Sequence, residues 1–363
     1  MPDKEFVSAP LKNAVESGSV CWEAPSNIAL VKYWGKKENQ IPANPSISFT
    51  LKNCKTTTRL NYVKVSDNST TSRGIEFDVI FEGVKKESFK PKIVSFFKRI
   101  LPYCSYLEEF KFEVVSDNSF PHSSGIASSA SGMSALALCV MSLEKSLFPE
   151  TEDDFFYKKA SFLARLGSGS ACRSVRGDLV VWGQHQEIPL SSDTYGVQYP
   201  FKIADVFKDY QDTILLVDKG KKQVSSTVGH DLMHGHAFAA ARFQQAHDHL
   251  SALIPAFEKG DVKQFIKIVE REALTLHAMM MSSDPYFLLM KPNTLAIINK
   301  IWEKREESKI PVCFTLDAGA NVHMLYPSQF KEEILEFVKN ELVVYCENGH
   351  YICDEIGKGS KKL

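Results

Sequence analysis

Residues 118–133 read Asn118-Ser-Phe-Pro-His-Ser-Ser-Gly-Ile-Ala-Ser-Ser-Ala-Ser-Gly-Met133, and this stretch decides the fold. Pro121 and Gly125 mark a loop that runs directly into small hydroxyl residues. An apolar helical pattern follows at once: Met133, Leu136, Ala137, Val140, Met141 and Leu143. Small side chains let the backbone approach a ligand closely, and the free N–H groups of a helix start can donate to an anion. With the hydroxyls of Ser128 and Ser129, the pattern predicts a phosphate cradle made without the Gly-Lys-Ser/Thr of a Walker loop. The bland alternative is a Ser-rich capped helix start, although a cap needs one Ser and no flanking glycine.

Composition sets the outer bounds. A chain of 363 residues with 44% hydrophobic content can bury a large core and divide into about two domains. A net charge of −1 gives no bulk reason to expect nucleic acid or a membrane surface as partner. No apolar run approaches the roughly 20 residues of a membrane span, and the first residues show no apolar signal region. The eight cysteines are scattered without a Cys-x-x-Cys pair, which suits reduced thiols better than a disulfide frame or a zinc site. The expected location is therefore the cytoplasm.

Strand and helix patterns are mixed along the chain, so an α+β architecture is expected in both halves. Strand patterns fall at 47–51, 56–63, 74–81, 110–115, 179–182, 213–217, 313–316, 322–326 and 343–346. Helical patterns fall at 91–100, after the cradle, and at 155–166, 230–257, 262–279, 293–306 and 332–341. The Pro/Ser/Gly-rich stretch 188–200 is the best domain boundary, dividing 1–195 from 196–363. The basic tail 357–362 reads as a frayed end.

Three further segments carry chemistry. In Ala164-Arg-Leu-Gly-Ser-Gly-Ser-Ala-Cys-Arg-Ser-Val-Arg176, glycines end a helix and Ser168 and Ser170 offer hydroxyls. A helix restarting near Ser170 puts Arg173 on the same face, where its fork can take a carboxylate or phosphate. Arg173 can equally be a surface residue on a helix cap. In Cys313-Phe-Thr-Leu-Asp-Ala-Gly-Ala-Asn-Val-His-Met-Leu325, two apolar strands flank a turn. Asp317 is either a turn former or, because Ala-Gly-Ala follows, a carboxylate open to a ligand. In Ala24-Pro-Ser-Asn-Ile-Ala-Leu-Val-Lys-Tyr-Trp-Gly-Lys-Lys37, with Asn44-Pro-Ser-Ile-Ser48 after it, the spacing lets Lys32 and Lys36 share a helical face beside Tyr33.

In this order, the four segments resemble the diphosphomevalonate decarboxylase family of the GHMP kinase superfamily, over roughly residues 24–326. Lys32-Tyr-Trp-Gly-Lys36 together with Gly167-Ser-Gly-Ser-Ala-Cys-Arg-Ser174 is specific to that branch, whereas the cradle is shared with the wider superfamily. Val224-Ser-Ser-Thr-Val-Gly229 is similar too, with His230 where the family has Met and Ala320 where many members have Pro. The resemblance implies a two-domain GHMP kinase-like fold, with an N-terminal ribosomal-protein-S5-like domain (1–195) and a C-terminal ferredoxin-like α/β sandwich (196–363) carrying the catalytic Asp. It implies ATP-dependent decarboxylation of (R)-5-diphosphomevalonate to isopentenyl diphosphate in the mevalonate pathway. ATP and Mg²⁺ are the implied cofactors, the metal carried by ATP phosphates with no protein ligand. Asp317, Arg173 and Lys32 are the implied catalytic residues. Asn27, Tyr33, Lys36, Ser168, Ser170 and Arg173 are the implied substrate contacts, and Ser123, Ser124, Gly125, Ala127, Ser128 and Ser129 the implied ATP contacts. A homodimer is the implied assembly.

The chemistry makes sense of these residue types, because a 3-hydroxy acid has no carbonyl sink and nothing here resembles a pyridoxal, thiamine or flavin site. Alternatives stay open at this point. One is a small-molecule kinase of this fold acting on mevalonate or 5-phosphomevalonate, and another is a decarboxylase of the monophosphate. A binding module is disfavoured by the presence of both Asp317 and Arg173. A metal enzyme, suggested by His230, His234, His236, His247 and His249, is disfavoured because no carboxylate constellation is near them in sequence. His277 belongs either to the substrate pocket or to the core.

Overall fold

A computed structural model of the chain describes residues 3–10, 15–65, 75–121, 126–220 and 226–363. The first sheet is built on two long strands, β1 (Ser17–Val31) and β2 (Ser46–Lys64), paired antiparallel. Around them lie β3 (Phe77–Phe81), β4 (Val84–Lys85), β5 (Phe110–Asn118), β6 (Leu179–Trp182) and β7 (Val197–Gln198). The path is β12-β1-β2-β5-β3-β4, where β12 is Lys361–Lys362, and β6 pairs with β2 and β7. Helices α1 (Lys90–Ile100), α2 (Ser128–Leu147) and α3 (Asp153–Gly167) share one apolar core with this sheet, built on Phe96, Leu136 and Phe162 against Leu60 and Phe112. α2 is buried on almost every side, and its Ala and Ser residues let it pack closely.

The second sheet is antiparallel, in the order β11 (Tyr351–Glu355), β8 (Gln211–Leu215), β10 (Val322–Tyr326), β9 (Cys313–Leu316). Between β8 and β9 run α4 (Ser226–Asp231), α5 (Ala239–Lys259), α6 (Val262–Met281) and α7 (Pro292–Ser308); α8 (Lys331–Phe337) follows β10. One face of this sheet packs through Phe314 and Met324 on Ala273, Ile297 and Ile301. The opposite face closes on the first half: Ile214 and Leu216 join Ile28, Leu51 and Ile126 in one cluster. Asp354 accepts the N–H groups of Lys52, Asn53 and Cys54 at 3.0, 2.9 and 2.7 Å. Among the described residues no helix is long and apolar enough to cross a membrane.

The two-domain α+β expectation holds, but several element assignments change. The patterns at 47–51 and 56–63 are one strand, because Asp354 carries the chain through Lys52–Cys54 without a turn. The region at 343–346 is helical rather than a strand. Val338, Leu342 and Cys346 are buried at four-residue spacing while Val344 is exposed, a helical and not an alternating pattern. The tail is not frayed: Lys361 and Lys362 pair with Glu23 and Trp22 on β1, and the Leu363 N–H donates to Cys21 O at 3.0 Å. The boundary at 195/196 falls between β6 and β7, which pair with each other in the first sheet.

Candidate active site

β1 ends at Val31, so Lys32 to Lys37 leave the sheet as an irregular segment and not as a helix. Lys32 and Lys36 therefore share no helical face. Lys32 is 2% exposed and its ammonium lies 3.1 Å from Asp317 Oδ1, whereas Lys36 lies 3.4 Å from Asp231. Asp317 sits just past β9, at the mouth of the β9–β10 turn, with 26% of its side chain exposed. Burial pushes the Lys32 ammonium below its usual value, against the pull of Asp317.

Arg173 comes from the short 3₁₀ turn Gly169–Ser174 that restarts after α3, as its spacing predicts. It is no surface cap residue: it is 3% exposed. Its Nε donates to Asn27 Oδ1 at 3.3 Å, a terminal nitrogen donates to Ser46 Oγ, and the guanidinium lies 5.7 Å from the Trp182 ring. Among the described residues it makes no ion pair, and burial pushes its guanidinium below its usual value. Asn27 in turn donates to the Ser170 carbonyl (3.1 Å) and to Ser174 Oγ (2.7 Å). Ser168 and Ser170 are half-buried at the same turn.

Tyr33 packs on Trp182 and His230, with ring centroids 4.6 and 4.2 Å apart. Its hydroxyl is buried with no hydrogen-bond partner among the described residues, and burial pushes the phenol up. A Cβ at Gly169 would lie 3.0 Å from that hydroxyl and 2.8 Å from Trp182, so only glycine lets the turn approach. The structure thus brings Asn27, Lys32, Tyr33, Ser170, Arg173 and Asp317 together.

The expected phosphate cradle falls at the start of α2. Ser123, Ser124 and Gly125 fall outside the described residues. Ala127, the N-cap, is left-handed, no side chain among the described residues caps the helix, and no acidic residue sits in the first turn. Ser128 and Ser129 are half-buried and exposed, and Lys92 of α1 donates to Ser129 Oγ at 2.7 Å. An uncapped helix start with an ammonium beside it suits a polyanion. Among the described residues no group of three or more His, Cys, Asp or Glu gathers as a metal site. These residues fit a nucleotide whose divalent ion leans on phosphates and waters.

The histidines go to separate partners. Residues 232–238 form turns and α5 starts at Ala239, so His230 and His236 do not share one long helix. His230 Nδ1 accepts the Gly35 N–H at 3.0 Å, and His236 pairs with the Met279 carbonyl. His277, on α6, meets the Asp317 carbonyl through Nε2 at 3.1 Å, so it belongs to the core and supports the turn that carries Asp317 at once. Burial pushes His277 down to about 4 and His230 down to about 3. Both stay neutral in the fold, but below about pH 6.5 they gain a proton on unfolding. The unfolded chain then binds more protons, so stability is complete above that pH and is lost as pH falls towards the folded values. The slope is about 1.4 kcal/mol per pH unit for each histidine. Urea melts at pH 7.5 and 5 are expected to show this loss, and His277→Gln to remove one histidine's share. An unchanged slope in that variant would place the acid sensitivity elsewhere.

Sequence reasoning missed Lys92, Trp182 and the support given by His277. Ser46 stood in a segment already singled out, but nothing local points Lys92, far from the loop in sequence, at Ser129.

Residues 24–195 match the family model described as diphosphomevalonate decarboxylase-like N-terminal domain, and 213–359 match the mevalonate 5-diphosphate decarboxylase C-terminal domain. A diphosphomevalonate decarboxylase of Ganoderma lucidum is 30% identical over 339 residues, covering 87% of this chain and 80% of that one. The solved structure of MDDEF in complex with MVAPP, AMPPCP and magnesium is similar with a TM-score of 0.80 at 27% identity, covering 96% and 99% of the two chains. The mevalonate diphosphate decarboxylase of Staphylococcus aureus is similar with a TM-score of 0.79 at 28% identity, covering 96% and 98%. With both halves matched and a relative 30% identical over most of both chains, the chain belongs to the diphosphomevalonate decarboxylase family.

Proposed function

We propose that this chain catalyses the ATP-dependent decarboxylation of (R)-5-diphosphomevalonate to isopentenyl diphosphate, ADP, phosphate and CO₂. The observation that carries the reading is the Lys32–Asp317 pair at 3.1 Å beside Arg173, a buried cation with no ion pair among the described residues. Asp317 takes the proton of the 3-hydroxyl as that oxygen attacks the terminal phosphorus of ATP and ADP leaves. The Lys32 hydrogen bond holds the rotation of that carboxylate. The C3–O bond to phosphate then breaks, and the bond to the carboxyl carbon supplies the electron pair of the new C=C as CO₂ departs. Asp317 faces the positive charge developing at C3.

Arg173, braced by Asn27 and Ser46, holds the substrate carboxylate with its planar fork. Tyr33, Lys36 and Ser168 take the diphosphate, with Ser170 in support. Ser128 and Ser129, with Ser123, Ser124, Gly125 and Ala127, hold the ATP phosphates beside Lys92. Mg²⁺ bound to those phosphates would neutralise their charge. We divide the chain at 195/196, with the cradle in the first part and Asp317 in the second. Seven of the eight cysteines are buried and all are free, which supports a cytoplasmic location.

The test supplies ATP and Mg²⁺ with mevalonate, its 5-phosphate or its 5-diphosphate, and follows ADP and CO₂ together. ADP and CO₂ are expected in equal amounts with the 5-diphosphate. ADP without CO₂ would make the chain a kinase, and equal release with the 5-phosphate alone would change the substrate.

A further inference from the structure

Lys32 lies one residue past the end of β1, where its peptide groups leave the ladder and need other partners. Two side chains from the second half, with Asn44 from the first, supply them. The Lys32 N–H donates to Glu272 Oε2 at 2.8 Å. Its carbonyl accepts from a terminal nitrogen of Arg242 at 3.0 Å and from Asn44 Nδ2 at 2.9 Å. Arg242 (α5) and Glu272 (α6) are themselves joined by two bonds, of 3.0 and 2.6 Å, and both side chains are fully buried. His249 Nδ1 lies 2.6 Å from Glu272 Oε1. One guanidinium–carboxylate pair therefore grips both peptide groups of a single residue, as a neighbouring strand would.

Packing alone does not call for this pair. Apolar residues of similar volume hold two helices together as well as a buried ion pair, or better. What they cannot do is accept from the N–H and donate to the C=O of Lys32 at the same time. Resting on the reading of Lys32 and Asp317 above, we propose that Arg242 and Glu272 are positioning residues for the reaction. They fix the Lys32 backbone so that its ammonium meets Asp317, and they act through Lys32 alone.

The test is a cycle of Lys32→Met, Glu272→Gln and their combination, with kcat and KM for both substrates and a thermal melt for each. Glu272→Gln is expected to lower kcat by about 10–100-fold with both KM values within about threefold, the signature of a reaction-step loss. In the Lys32→Met background the same change is expected to lower kcat by less than about threefold, because the group it positions is gone. The charge-free Arg242→Met/Glu272→Leu double replacement, which fills the space without gripping either peptide group, is measured beside it under the same criteria. Full kcat in either form, or losses that multiply in the Lys32→Met background, overturns the positioning role. Wild-type turnover by Lys32→Met would instead overturn the reading of Lys32 itself.

Discussion

Replacing Asp317 by Asn is expected to lower turnover by at least about 10²–10⁴-fold, the range for general-base action, with ATP affinity unchanged. The amide keeps the volume of the side chain but cannot take the hydroxyl proton or face a developing positive charge. In the function proposed above the nucleotide is held at the α2 start beside Lys92, on elements other than the β9–β10 turn. The variant also leaves Lys32 without its counter-charge. Burial already pushes that ammonium down, so it is expected to shed its proton rather than unfold the site. The stability loss should be about 1–3 kcal/mol, below that of a fully buried broken pair, because a quarter of Asp317 is exposed. Steady-state kinetics with urea melts check both parts. Near-normal turnover would remove Asp317 from the mechanism. Supplying 3-phosphorylated substrate directly then separates its roles: a pure base becomes dispensable, whereas a cation-facing carboxylate does not.

Arg173→Met is expected to lower kcat/KM by about 2–5 kcal/mol, roughly 30- to 4,000-fold, without lowering Tm. A buried cation with no ion pair among the described residues burdens the fold, and its hydrogen bonds to Asn27 and Ser46 offset only part of that desolvation. Met fills similar space and carries no charge, so the apo protein should gain or hold stability while the substrate carboxylate loses its partner. Arg173→Lys keeps the charge but not the fork, and is expected to lose about 1.5–3 kcal/mol. Thermal melts without ligand and kcat/KM for 5-diphosphomevalonate decide the matter. A large drop in Tm with unchanged kinetics per folded molecule would make Arg173 structural.

The helix after the loop was legible in the sequence because its signal is local: a Pro- and Gly-marked loop followed by apolar positions that are all buried in α2. The turn carrying Arg173 was legible for the same reason, since two glycines and a three-residue offset set its geometry. β1 was not. Its second half is buried on both faces, so it lacks the alternation that marks a strand, and the Lys32/Lys36 spacing suggested a helix instead. The helical turn at 343–345 was lost for a related reason: β-branched residues imitate a strand unless one knows which of them face a core.

By itself the sequence determined the fold class and the loop-to-helix transition at α2, because these follow from short-range period and glycine placement. Only the tertiary structure decided how the candidate site residues are paired. Lys32 and Asp317 lie 285 residues apart and meet because the second sheet closes on β1. Arg173 is a buried cation, not a helix cap, because Asn27, Ser46 and Trp182 surround it from three other elements. Arg242 and Glu272 carry no motif at all, and their grip on Lys32 exists only where α5 and α6 pack against the end of β1. Burial and long-range contact set ion pairing and proton affinity, and neither is a property of local sequence.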